Sequence, residues 1–121
     1  MSDEFWYLGS PYSKYPDGIL AAFEEVCRIA ALFAKAGIPV YSPIAHTHPI
    51  ALHGTLDPFD HDMWLPFDEP MLLAAKGLII CEMRGWQVSR GLFYEVERFK
   101  AMGKPIRYFD PGYPLFEGKL L

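Results

Sequence analysis

The chain has 121 residues, 51% of them hydrophobic and 16% aromatic, and a net charge of −4. That length and composition predict one folded domain over residues 1–121 and exclude a disordered chain. The negative balance and the lack of a basic stripe argue against a nucleic-acid polymer as partner. No apolar run reaches the length of a membrane span, and the opening MSDEFWYLGS lacks the basic-then-apolar form of a signal peptide. A cytoplasmic protein without a membrane partner is expected. Cys27 and Cys81 fall inside helix and strand patterns, which reads as two buried reduced thiols.

In chain order, Phe5 to Leu8 is an aromatic-rich strand that ends at Gly9-Ser10-Pro11. Ile19, Ala22, Phe23, Val26, Cys27, Ala30 and Phe33 recur at helical spacing, with Asp17 as a start signal and Gly37 as a stop. Ile38 to Ser42 returns as a strand. Residues 43–66 contain four prolines and all four histidines of the chain, and read as a long irregular loop with one helical turn at HDMW. Asp60 stands where it can cap that turn.

A helix is predicted from Asp68 to Lys76, then a strand covered on both faces from Gly77 to Met83. Ser89 is placed to cap the next helix, which Gly103 stops, and KPIRYF forms a last strand. Alternating strands and helices predict an α/β fold: an open parallel sheet of four or five strands with helices on both faces, flavodoxin- or Rossmann-like. Ligands of such sheets bind beyond the carboxyl ends of the strands, where strand order reverses. With the first and third strands as neighbours, that crevice is lined by Gly9, Ser10, Pro11 and Tyr12 on one side and by Glu82, Met83, Arg84 and the following loop on the other.

The helix after Ser89 poses the main question. Leu92, Phe93, Val96, Phe99 and Met102 share one arc, the face expected to be buried, and Glu95 lies within it. Two readings are open for that carboxylate. It pairs with Arg98 one turn on, or it faces a ligand and attacks an electron-poor carbon such as the anomeric carbon of a sugar. Ser89, the Gly91 backbone and the helix start are then placed to hold a hydroxyl or phosphate. Arg90 suits a phosphate or stands as a solvated charge, and Trp86 either stacks on a base or packs on its own domain.

The segments WYLGSPYS, GLIICEM, S-R-G-L-F-Y-E-V and A-M-G-K-P-I resemble the nucleoside 2-deoxyribosyltransferase superfamily, which includes deoxynucleoside monophosphate N-glycosidases. Tyr7, Ser10 and Pro11 match its opening "iYlagp". Ser89, Gly91 and Glu95 match its "S-x-G-x-x-x-E" in order and spacing, and Asp68 matches an acidic position before the third strand. SPIAHTHPI and W-L-P-F-D resemble more closely a bacterial family of unknown function within that superfamily. The chain departs from the pattern at Glu97, where relatives carry glycine, and at Lys76-Gly77, where they carry aspartate.

The resemblance implies a nucleoside or nucleotide as the small-molecule partner, with Glu95 as nucleophile toward C1′ and Tyr7 orienting it. It also implies that Ser10 and Ser89 contact the sugar or its 5′ group and that Asp68 contacts the base. Such chemistry needs no cofactor. The resemblance further implies a homo-oligomer, dimer or tetramer, whose neighbouring subunit closes the site; the tail YPLFEG suits that contact.

The histidine-rich segment carries His46, His48, His53 and His61 among Asp57, Asp60 and Asp62 without a standard metal-ligand spacing, so no metal is expected. A histidine facing the crevice suits a general acid that protonates the leaving base, and His46, just after the second strand, is the choice. Glu82 is the best second carboxylate. Other functional classes remain: a nucleotide-sensing module without turnover, or a metal-dependent hydrolase built on the histidines.

Overall fold

The structure is a computed structural model, and it describes residues 3–112. Four strands form one parallel sheet: β1 (Trp6–Gly9), β2 (Val40–Tyr41), β3 (Gly77–Cys81) and β4 (Ile106–Phe109), in the order β2-β1-β3-β4. β1 and β3 are the central neighbours, paired from Trp6↔Gly77 to Gly9↔Ile80. The chain leaves β1 for β2 on one side and later returns to β3 on the other, so strand order reverses between β1 and β3. Four helices connect the strands: α1 (Ile19–Lys35), α2 (Pro43–Gly54), α3 (His61–Ala74) and α4 (Arg90–Ala101). The open parallel α/β sheet is the expected architecture.

Side-chain alternation along the central strands creates two cores. Trp6, Leu8, Ile79 and Cys81 face α1, where Val26, Ile29 and Phe33 meet them. Tyr7, Leu78 and Ile80 face the opposite side, against Leu72 and Ala75 of the α3 end and Leu92 and Phe99 of α4. Helices therefore cover both faces of the sheet.

The segment 43–66 departs most from expectation. Pro43–Gly54 is a helix, and α3 begins at His61, seven residues before the expected Asp68. Proline removes one helical N–H and strains one carbonyl, which argued for a loop. Pro66 and Pro70 stand on the exposed side of α3, where water can take the orphaned carbonyls, while Trp64 and Leu72 are buried on the other side. In α2 the start is well made: Ser42 accepts the Ala45 N–H at 3.0 Å and Pro43 occupies the first turn. Burial of His48 and Ala51 then outweighs Pro49. Capping also differs from expectation at two starts. Gly18, not Asp17, precedes α1, and neither it nor Asp60 before α3 makes a side-chain cap bond. Asp17 instead pairs with Arg84 at 3.1 Å.

Cys81 is buried, but Cys27 is only half-buried. Phe93 was expected on the core arc and is 69% exposed. The tail segment YPLFEG lies outside the described residues.

Candidate functional site

A crevice lies at the strand-order reversal, beyond the carboxyl ends of β1 and β3, where open parallel sheets bind ligands. Ser10, Tyr12 and Ser13 line it from the loop after β1, Pro43, Ile44 and Thr47 from the start of α2. His61, Trp64, Leu65 and Asp68 come from α3, and Ser89, Gly91 and Glu95 from the start of α4. The positions 61, 64, 65 and 68 fall on one face of a helix at i, i+3, i+4 and i+7, with His61 toward the mouth.

The start of α4 is fixed by Ser89, whose Oγ accepts the Leu92 N–H at 3.3 Å. Leu92 and Phe99 anchor this helix in the core, and that rotation turns Glu95 toward β1. Gly9 gives the carboxyl its space, since a Cβ there would stand 2.6 Å from Glu95 Oε1. Glu95 does not meet Arg98. The guanidinium spans instead to α3, donating to both carboxylate oxygens of Glu69 at 2.7 and 2.6 Å and to the Tyr94 hydroxyl at 2.6 Å. Burial, and then the nearby Asp68, raises Glu95 from its ordinary value to about 8. Its residue surface is only half-buried because the crevice opens beside it, while its carboxyl is enclosed.

Asp68 is the second carboxyl of the crevice. Burial raises it to about 6, partly opposed by the Tyr41 hydroxyl, which donates to Oδ1 at 3.3 Å. Tyr7 lies beneath both carboxyls, buried between the rings of Tyr41 and Phe99 at 5.7 and 5.8 Å. Burial first, then the charges of Glu95 and Asp68, holds its phenol far above the ordinary range and therefore neutral. Ser10 is 7% exposed, and its Oγ is the one buried side-chain polar atom without a hydrogen-bond partner among the described residues. An unpaired buried hydroxyl is costly unless a ligand supplies the bond.

Tyr12 forms one wall. Its hydroxyl lies 2.6 Å from His48 Nδ1, and the His48 ring stacks on Phe23 at 4.5 Å. Burial lowers the pKa of His48 and favours its neutral ring beside the Tyr12 hydroxyl. A larger apolar groove of about 430 Å³ lies behind Tyr12 and Pro58, lined also by Ile19, Ala51, Leu52 and Leu56. Its one carboxylate, Asp57, is engaged by the Phe59 N–H at 2.9 Å. The smaller crevice is the one that gathers two carboxyls, Asp68 and Glu95.

Of the residues expected at the site, Ser10, Tyr12, Asp68, Ser89, Gly91 and Glu95 line the crevice, and Tyr7 lies under it. Four do not line it. Pro11 is buried beneath the loop. Trp86 packs against Tyr108 across β4 at 6.0 Å, because the 3-10 turn Trp86–Val88 directs it to the far side of α4. Arg90 is exposed on the first turn of α4, outside the crevice. His46 is exposed and stacks on Phe67 at 5.7 Å, since the unexpected helix α2 points it toward α3.

The crevice histidine is His61 instead, and its spacing to Asp68 along a helix was the signal available for it. The lining expected from β3 is also corrected. Met83 is buried in the α1-side core, Arg84 binds Asp17, and Glu82 is half-buried after the strand, away from the crevice. Among the described residues, no three His, Cys, Asp or Glu side chains gather as metal ligands, so the histidines share no centre. Among them, too, no helix is long and apolar enough to cross a membrane.

Fold and site together define a small α/β protein with a two-carboxyl crevice at the switch point of its sheet. Residues 4–110 match the family model described as Domain of unknown function (DUF1937), and the chain belongs to that family. A search of curated proteins gives no match.

Proposed function

We propose that the protein cleaves or transfers at the N-glycosidic bond of a nucleoside or nucleoside 5′-monophosphate, with Glu95 as covalent nucleophile. The observation that carries this reading is a crevice carboxyl with no lysine or arginine partner among the described residues: Arg98, its nearest candidate in sequence, is engaged by Glu69. The order and spacing of Ser89, Gly91 and Glu95, which resemble the deoxyribosyltransferase superfamily, support it. The crevice has a volume of about 110 Å³, and the exposed Phe59 and Leu65 in its lining offer apolar surface to a base.

In this reading an ionised Glu95 oxygen attacks C1′. The C1′–N bond breaks, its electron pair leaves with the base, and the base takes a proton from solvent at the crevice mouth. Water, or the nitrogen of a second base, then attacks C1′. The ester bond breaks and the Glu95 carboxylate is restored. Positive charge developing on the sugar ring is stabilised by the two carboxyls, with no lysine or arginine among the described lining residues to oppose them. Ser10 Oγ and Ser89 suit the sugar hydroxyls or the 5′ group.

The same resemblance carries a homo-oligomer whose neighbouring subunit closes the site, and the exposed Phe59 and Leu65 of the crevice lining suit such a contact. A second reading, a nucleotide-binding module without turnover, is favoured by one feature. Glu95 holds its proton at neutral pH, and a protonated carboxyl is a poor nucleophile.

The test is to trap the intermediate. Incubation with a 2′-deoxy-2′-fluoro nucleoside and its 5′-monophosphate, followed by peptide mass mapping, is expected to add the glycosyl mass to the peptide bearing Glu95. An unmodified peptide under conditions where base is released would overturn the covalent mechanism.

A further inference from the structure

We propose that Tyr41 is a positioning residue of the crevice, holding the Asp68 carboxyl in place through its hydroxyl. The inference deepens the glycosyl-transfer reading and rests on it for the role of Glu95. Its own observations concern Tyr41.

β2 is only two residues long, and its register places Tyr41 directly beside Tyr7. The Tyr41 ring is held by Tyr7 at 5.7 Å on one side and by His46 at 5.7 Å on the other. A ring so held has little freedom at χ1 and χ2, so its hydroxyl is fixed over Asp68, to which it donates at 3.3 Å. Burial raises the Tyr41 phenol and keeps it neutral, a donor at every pH of interest. Tyr41 therefore acts on Asp68 from β2, an element that contributes no side chain to the crevice lining.

The need for such a donor follows from what surrounds the pair. Tyr7 faces Asp68 and Glu95 from β1, Cys81 lies behind Glu95 on β3, and Tyr94 joins from α4. His61 lines the same crevice from the helix that bears Asp68. The guanidinium of Arg98 is bound to Glu69 and Tyr94. Burial raises both carboxyls, Asp68 to about 6 and the more deeply enclosed Glu95 to about 8, and the Tyr41 hydroxyl opposes the rise at Asp68 alone. Asp68 also raises Glu95 by its charge, and among the described residues no lysine or arginine lines the crevice beside them. Asp68 then presents a fixed anion to the substrate, and Glu95 is the group whose deprotonation gates attack.

The experiment is a carboxyl titration by NMR on protein labelled with 13C at Asp and Glu side chains, using wild type, Tyr41→Phe, and protein with 3,5-difluorotyrosine at position 41. Asp68→Asn and Glu95→Gln assign the two resonances. Loss of a hydrogen bond to a charged group is expected to raise the Asp68 midpoint by about one pH unit in Tyr41→Phe. The more acidic fluorinated phenol, a stronger donor, is expected to lower it. An Asp68 midpoint unmoved in both variants would overturn the proposal, and the fluorinated ring decides the matter should Tyr41→Phe fold poorly. No substrate is needed, so a failure of the glycosyl-transfer reading would show separately, as absent base release with the titration shifts intact.

Discussion

A methyl group at Gly9 would stand 2.6 Å from Glu95 Oε1 and 2.7 Å from Leu92 Cδ2, so the last residue of β1 makes the space in which Glu95 sits. The contact links the central strand to α4 at the point where strand order reverses. Gly9 is not needed here for an unusual backbone angle, since its φ is not positive. It is needed for what it lacks. Gly9→Ala is expected to destabilise the fold by about 1–3 kcal/mol through overpacking, read from urea unfolding. It also displaces Glu95, so any activity should fall by far more than the stability loss explains.

Glu95 is expected to set a pH dependence of stability opposite to that of a paired carboxylate. Its folded value, about 8, lies above its ordinary 4.5. The fold is thus favoured with Glu95 protonated: that stability is complete below about pH 4.5 and is lost as pH rises through 8. Glu95→Gln keeps the shape and removes the titration. It should leave stability near pH 4 little changed and raise it on the order of a few kcal/mol by pH 9. Thermal melts of both proteins across that range test the sign, and a Gln variant less stable at pH 9 would contradict it.

The α3–α4 clamp behaves the other way. Bidentate hydrogen bonds from Arg98 lower the Glu69 carboxyl below its ordinary value. Its contribution is present above about pH 4.5 and is lost as pH falls through the depressed value. Both side chains are about one-third exposed, which limits the pair to about 0.5–2 kcal/mol. A double-mutant cycle with Glu69→Gln and Arg98→Met should return a coupling in that range at pH 7 and one near zero at pH 2.

Ser10→Ala removes a buried hydroxyl that has no hydrogen-bond partner among the described residues. Its stability should be unchanged or higher by up to about 1–2 kcal/mol, while ligand affinity falls. Destabilisation together with unaltered binding would show that the hydroxyl has a structural partner and no ligand role.

The legibility of these features follows their range. β1, β3 and the start of α4 were readable because Leu8, Ile79 and Ser89 act through local pattern: apolar runs for buried strands, a hydroxyl three residues before the N–H it caps. The pairing of Arg98 with Glu69 was not readable. It joins residues 29 positions apart on two helices, and local spacing offered Glu95 first. Pro49 hid α2 and Pro66 hid the continuity of α3 between the turn at His61 and the helix expected from Asp68, since tertiary burial of His48, Ala51, Trp64 and Leu72 outweighs a local breaker. Once α2 is a helix, His46 points at Phe67, and the crevice histidine becomes His61. Asp68 was placed by resemblance, and its partnership with Tyr41 needed the register of a two-residue strand.

The most direct test of the central claim is release of free base from nucleosides and nucleoside 5′-monophosphates, ribo and deoxy, followed by chromatography for wild type and Glu95→Gln side by side. Release by the wild type that rises with pH toward 8, and is absent in a folded Glu95→Gln, is the predicted result. No release from any substrate by folded wild type, or equal release by both proteins, would contradict it.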